Sequence, residues 1–137
     1  MKNKIFLDLD GTLARFNTRN ALNRFKTVEG FFLNLLPYKN IGSINELAKN
    51  GNVYIISASP HLYADLDKRK WIYKYLPNIK STNIVLCRLG ENKAKVIKKQ
   101  LGIEIDNTCY LLDDYTKNLN EWEELRRRRY KATYICC

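Results

Sequence analysis

Four short apolar runs, each stopping at polar residues, constrain the fold of this chain more than any other feature. Ile5–Leu7 stops at Asp8-Leu9-Asp10-Gly11-Thr12, and Val53–Ile56 at Ser57-Ala58-Ser59-Pro60. Ile84–Cys87 stops at Arg88, and Cys109–Leu112 at Asp113-Asp114. Apolar runs this short, bounded by turn signals, read as buried strands. The segments between them are long enough for helices, with Gly42, Gly51, Pro77 and Gly102 at their boundaries. The pattern predicts strand 4–8, an irregular and helical insert 15–40, helix 41–50, strand 53–57, helix 61–76, strand 83–87, helix 91–101, strand 109–113, helix 116–126 and a last strand 132–136. Alternating strands and helices argue for an α/β sandwich around a parallel sheet with right-handed crossovers.

Asp8 and Asp10 are two residues apart, so in an extended chain both leave the strand on the same side. Gly11 then lets the backbone turn just beyond the strand end. Open parallel sheets bind ligands at this carboxyl edge. An Asp-Gly turn at a strand end is common, so the pair does not define a site by itself. The later strand ends add a hydroxyl at Ser57 and an acidic pair at Asp113-Asp114, and Lys93 and Lys95 follow the third strand.

With 137 residues the chain is long enough for one domain of this kind and too short for two full cores. No apolar run approaches the ~20 residues needed to span a bilayer. The apolar stretch after Lys2 and Lys4 is too short for a signal peptide, so a cytoplasmic location is expected. Cys87 and Cys109 fall in predicted core strands, and Cys136-Cys137 lack zinc-type spacing, so reduced structural cysteines are expected. His61, the single histidine, follows Pro60 at the edge of the expected cleft, where it either touches substrate or starts a helix, and it is left out of the chemistry. The net charge of +10 raises an anionic partner such as nucleic acid. However, Lys68-Arg69-Lys70 and Lys98-Lys99 lie on helical stretches and read as solvated faces.

Taken in order, the Asp pair, the hydroxyl, the lysine and the late acidic pair resemble the four motifs of the haloacid dehalogenase superfamily of phosphatases. DLDGTLARF, GFFLNLLPY, VYIISASP and LLDDYTKNLNEW are similar to the 5′(3′)-deoxyribonucleotidase branch, and the resemblance covers most of the chain up to Trp122. It implies a Rossmann-like three-layer sandwich in which the first strand lies between the second and fourth. A small helical cap insert, about 15–40, would cover the site. It also implies a phosphoric monoester hydrolase with Asp8 as nucleophile and Asp10 as general acid and base. Ser57 and Lys93 would bind the phosphoryl oxygens, with Lys95 as the alternative lysine. Mg²⁺ would be held by Asp8, the backbone carbonyl of Asp10, and Asp113-Asp114, without distinguishing which of the last two binds directly. Gly11, Thr12, Phe16 and Ala58 would contact substrate, with Phe16 stacked on a base. Backbone N–H groups around Leu9 to Gly11 would add donors. Tyr115, Asn118 and Trp122 would fix the loop and helix after the acidic pair.

The implied substrate is a small phosphate monoester, a (deoxy)nucleoside monophosphate, with no membrane partner. The alternatives are a nucleic-acid end, suggested by the small cap and basic charge, and a non-catalytic phosphate-binding module. Of the cap residues Phe25, Phe31, Phe32, Leu33, Leu35 and Leu36, most are expected to pack the cap onto the body. The resemblance stops at Arg126–Arg129, where the family carries a glycine-rich turn and an apolar strand. Arginine codons read one nucleotide later can encode glycine, so a frameshifted or otherwise altered ending after Leu125, with an imperfect edge strand or a disordered tail, is the expectation.

Overall fold

The computed structural model describes residues 3–15, 32–124 and 128–131. Strand β1 (Lys4–Leu7) is followed by helix α1 (Ile41–Leu47), which runs into a 3₁₀ turn at Ala48–Asn50. Next come β2 (Val53–Ser59), α2 (Leu62–Tyr75), a 3₁₀ turn at Ser81–Asn83, β3 (Ile84–Arg88) and α3 (Lys93–Leu101). β4 (Cys109–Asp113), α4 (Thr116–Glu124) and β5 (Arg128–Lys131) complete the order. The sheet has five strands in the order β3-β2-β1-β4-β5, and every pairing is parallel. β1 therefore lies between β2 and β4, as the resemblance implied. Leu7 is level with Ile55 on one side and Leu112 on the other, so the loops after these three strands leave the sheet side by side.

Strand side chains alternate between two cores, as the period of two requires. Phe6, Ile56, Val85, Cys87, Cys109 and Leu111 pack against Val96 and Ile97 of α3 and Leu119 and Trp122 of α4. Leu7, Val53, Ile55 and Ile84 pack on the opposite face against Trp71 and Ile72 of α2 and Ala48 after α1. The result is three layers. Burying each large apolar side chain contributes roughly 1.5–3 kcal/mol, and both tryptophans are essentially fully buried. Their indole N–H groups are satisfied: Trp71 donates to the Leu35 carbonyl at 2.7 Å and Trp122 to the Cys109 carbonyl at 3.4 Å. Cys87 and Cys109 are free and buried, as expected. No helix among the described residues is long and apolar enough to cross a membrane.

Most element ends fall within a residue or two of the sequence reading, and two differences bear on the sheet. β2 continues through Ala58 and Ser59, because both pair with β3 opposite Cys87 and Arg88 before Pro60 ends the ladder. The edge strand β5 forms within the arginine-rich run, with Tyr110 level with Arg128 and Asp113 with Lys131. Parallel pairing uses backbone groups and does not need the apolar side chains on which the sequence expectation rested. The strand expected at 132–136 lies outside the described residues.

Of the insert, residues 32–40 are described. Phe32 is buried and Leu35 packs on the Trp71 core, whereas Leu36 is 65% exposed. The Leu36 backbone is nonetheless fixed: its carbonyl accepts from the Arg15 N–H at 2.7 Å. Phe16, Phe25 and Phe31 lie outside the described residues.

Candidate active site

The turn after β1 folds around one carbonyl. Leu9 O accepts from the N–H groups of Thr12, Leu13 and Ala14 at 3.3, 2.9 and 2.9 Å, and Gly11 N–H donates to Ala14 O at 2.8 Å. The Gly11 N–H, one of the donors expected around Leu9 to Gly11, is thus used within the turn. Gly11 has φ +80°, and a Cβ there would collide with the Asp114 carboxylate. A side chain is excluded both by conformation and by the acidic group packed against the turn. Thr12 is completely buried, and its Oγ1 has no hydrogen-bond partner among the described residues.

Asp8 leaves the end of β1, its N–H donating to Leu112 O at 2.9 Å. Asn92 caps α3 by accepting the Lys95 N–H at 3.1 Å, so Lys93 is the first helical residue. From there its Nζ reaches Asp8 Oδ1 at 2.9 Å and Asp113 Oδ2 at 2.6 Å. Lys95 is two residues on, about 200° around the helix, and is exposed. The geometry therefore brings Lys93, and not Lys95, to the aspartates. Asp113 is fully buried and further held by the Tyr115 N–H at 2.8 Å and Asn118 Nδ2 at 2.9 Å. The segment after the acidic pair does fix it in place, with Trp122 anchoring α4 in the core.

Ligand atoms of Asp8, Asp113 and Asp114 lie within 4.8 Å of one another. Burial, opposed by the Lys93 ammonium and reinforced by the neighbouring aspartates, pushes the Asp8 carboxyl up to about 8. Burial and the Asp113 charge likewise raise Asp114. Lys93 is raised as well, since the Asp8 and Asp113 charges outweigh the effect of its own burial. Three carboxyl groups share one lysine, and the upward shifts of Asp8 and Asp114 mark a site short of positive charge. An all-oxygen donor set with that shortfall fits a hard divalent cation such as Mg²⁺. Asp113 already receives three donors, whereas Asp114 is the exposed member of the trio.

The Asp10 carboxylate turns away from this trio. Its Oδ2 accepts from Lys68 Nζ at 2.6 Å. Lys68 also donates to Ser57 Oγ at 2.9 Å and to Ala58 O at 2.6 Å, and it is completely buried. This corrects the reading of Lys68 as part of a solvated charge run. The signal was present in the spacing: the buried residues of α2 are Ala64, Lys68, Trp71 and Ile72, so Lys68 occupies a core position of the helical stripe. Ala58, expected to contact substrate, has its carbonyl engaged by Lys68. His61 caps α2 through Nδ1, which accepts the Ala64 N–H at 3.1 Å, as the sequence suggested.

A second cluster beyond Ser57 was not foreseen. Ser59 donates to Asp65 Oδ1, and Arg88 Nη2 lies 2.7 Å from Asp65 Oδ2, joining the ends of β2 and β3 to α2. Burial pushes the Asp65 carboxyl up, but the hydrogen bonds from Arg88 and Ser59, with the guanidinium charge, hold it below the ordinary carboxylate range.

A parallel sheet with Asp8 and Asp10 just after β1, Ser57 on β2, a buried lysine at the start of a helix and an acidic pair at the end of β4 defines a phosphatase of the haloacid dehalogenase superfamily. The family model described as 5′ nucleotidase, deoxy (pyrimidine), cytosolic type C protein matches residues 9–128, and the chain belongs to this family. The 355R protein of Invertebrate iridescent virus 6, named as CTD phosphatase-like, is 30% identical over 159 aligned positions, covering 98% of this chain and 84% of that protein. A chain of the Pnkp1/Rnl/Hen1 RNA repair complex superposes with a TM-score of 0.62 at 19% identity, over 96% of this chain and 42% of that one. The N-terminal part of BF1531 from Bacteroides fragilis, containing a phosphatase domain complexed with Mg, gives 0.56 at 19% identity, over 95% and 36%. This chain thus spans less than half the length of those two solved chains, and their likeness concerns the fold.

Proposed function

We propose that the protein is a Mg²⁺-dependent phosphatase of small phosphate monoesters, acting on (deoxy)nucleoside monophosphates through an aspartyl-phosphate on Asp8. The observation that carries this reading is the donor arrangement around Asp8 and Lys93. Two of the three Lys93 protons go to Asp8 and Asp113, so one is left for a phosphoryl oxygen among the described residues. Lys93 thereby orients the Asp8 carboxylate and offers charge to an incoming phosphate.

In the first step an Asp8 oxygen attacks phosphorus, the bond to the leaving oxygen breaks, and Asp10 gives that oxygen a proton. In the second step water attacks the same phosphorus and loses a proton to Asp10. The bond between phosphorus and Asp8 then breaks, which restores the carboxylate. Ser57 and Lys93 bind the phosphoryl oxygens throughout. Asp8, Asp114 and Asp113 are the side chains that would hold Mg²⁺, which when bound offsets the charge of phosphate and carboxylates.

Family membership supports the nucleotide assignment, and Phe16 is the residue for base stacking. The charge of +10 and the likeness to a chain of an RNA repair complex favour a phosphorylated nucleic-acid end as the second reading. Hydrolysis of nucleoside monophosphates, sugar phosphates and 3′- or 5′-phosphorylated oligonucleotides, with Mg²⁺ or EDTA, tests both. Preferred turnover of mononucleotides, weakly dependent on salt, is expected. Preference for oligonucleotides with steep loss of affinity in salt would transfer the assignment to the polymer.

A further inference from the structure

The site contains a second buried lysine for which phosphoryl transfer has no obvious place. Lys93 keeps a proton for substrate, but Lys68 does not. Its three N–H donors reach Asp10 Oδ2, Ser57 Oγ and Ala58 O at 2.6, 2.9 and 2.6 Å, which accounts for its full donor capacity. The Phe32 ring lies 4.5 Å from the same ammonium and covers it from the insert side. A lysine with no free donor and no exposure is poorly suited to bind phosphate directly. Its effect must pass through the groups it holds.

Two consequences follow for those groups. Asp10 Oδ2 is engaged by Lys68, while Oδ1 is buried and has no partner among the described residues. Oδ1 is therefore the oxygen left to exchange a proton. Ser57 Oγ already accepts from Lys68, so its own hydroxyl proton must be directed to another acceptor. We propose that Lys68 is a positioning residue: it clamps Asp10 Oδ2 and Ser57 Oγ, leaving Asp10 Oδ1 to serve the leaving group and the Ser57 proton to serve the phosphoryl group. This assignment rests on the aspartyl-phosphate reading above and adds to it which oxygen of Asp10 acts and what holds it.

The leaving group provides the test. Departure of an alkoxide from a nucleotide needs the proton from Asp10, whereas a nitrophenolate departs without one. General acid catalysis is typically worth about 10²–10⁴-fold. In single-turnover experiments with Mg²⁺, Lys68→Gln is expected to slow release of nucleoside from a monophosphate by at least about 100-fold. Release of nitrophenolate from its phosphate should change by less than about tenfold, the remainder reflecting Ser57. In an Asp10→Asn background the further change Lys68→Gln should cost the nucleotide less than about tenfold, because the group it positions is already gone.

Equal losses on both esters in a folded Lys68→Gln protein would overturn the proposal, since they would mean a direct phosphate contact or general damage. If Lys68→Gln does not fold, the Asp10→Asn/Lys68→Gln protein, which lacks both buried charges, is compared with Asp10→Asn for nitrophenolate release. Rates within about tenfold support the clamp, and a greater loss overturns it. A wild-type protein that hydrolyses neither ester would refute the proposed function itself. An active wild type with equal losses refutes the role of Lys68 alone.

Discussion

Replacing Lys93 by methionine removes an ammonium group that lies 2.9 Å from Asp8 Oδ1 and 2.6 Å from Asp113 Oδ2. At an effective dielectric constant of about 20, each of these contacts is worth roughly 6 kcal/mol of gross attraction. Desolvation of the buried charges cancels much of that gain. Removing one partner of a buried pair nevertheless costs about 3–5 kcal/mol, because the carboxylates left behind remain buried without compensation. Against a typical total stability of about 5–15 kcal/mol, Lys93→Met should remain largely folded but melt about 10 °C or more below wild type in EDTA. Mg²⁺ should then stabilise the variant more than the wild type, since the cation enters a site with one fewer positive charge. Urea denaturation of both proteins in EDTA and in Mg²⁺ measures all four stabilities. A variant within about 1 kcal/mol of wild type in EDTA, with an equal Mg²⁺ response, would refute the view that Lys93 holds the acidic cluster together.

Three further outcomes are expected. Gly11→Ala should lose about 1–2 kcal/mol from its left-handed backbone alone, and more from displacing Asp114; a thermal melt matching wild type would contradict the packing of that turn. Asp65, whose folded value is depressed, contributes stability that is present above the ordinary carboxylate range and is lost as pH falls through the folded value. The stability gap between wild type and Asp65→Asn should therefore be constant near neutral pH and shrink below about pH 4, whereas a gap independent of pH would contradict the Arg88–Asp65 pairing. Phe16→Ala should raise KM for nucleotides on the scale of a base stack, about 1–3 kcal/mol, while leaving an aryl phosphate unchanged; equal effects on both would reduce Phe16 to cap packing.

Much of the framework was legible because each site strand is a short apolar run cut off by a polar residue that the structure places at the site. Asp8, Ser57 and Asp113 could be found from those endings, and the parallel sheet brings the three strands together. Lys93 was legible as the lysine that begins the helix after β3, and the Asn92 cap seen in the structure is what makes it the first helical residue. Lys68 was hidden because Lys68-Arg69-Lys70 looks like a solvated helical face, and only its place in the stripe of Ala64, Trp71 and Ile72 distinguishes it. The Ser59–Asp65–Arg88 cluster was hidden for a different reason. It joins side chains from β2, α2 and β3, and the sequence reading ended β2 at residue 57. That β5 pairs at Arg128–Lys131 was not legible, because its arginines argue against a strand by side chain, whereas an edge strand pairs through its backbone.

The central claim is covalent catalysis at Asp8, and rapid acid quenching during turnover of a labelled nucleoside monophosphate tests it most directly. Wild type should yield a peptide carrying one phosphoryl group on Asp8, which Asp8→Asn neither forms nor turns over. Turnover with no phosphorylated aspartate, or a label on another residue, would contradict the account.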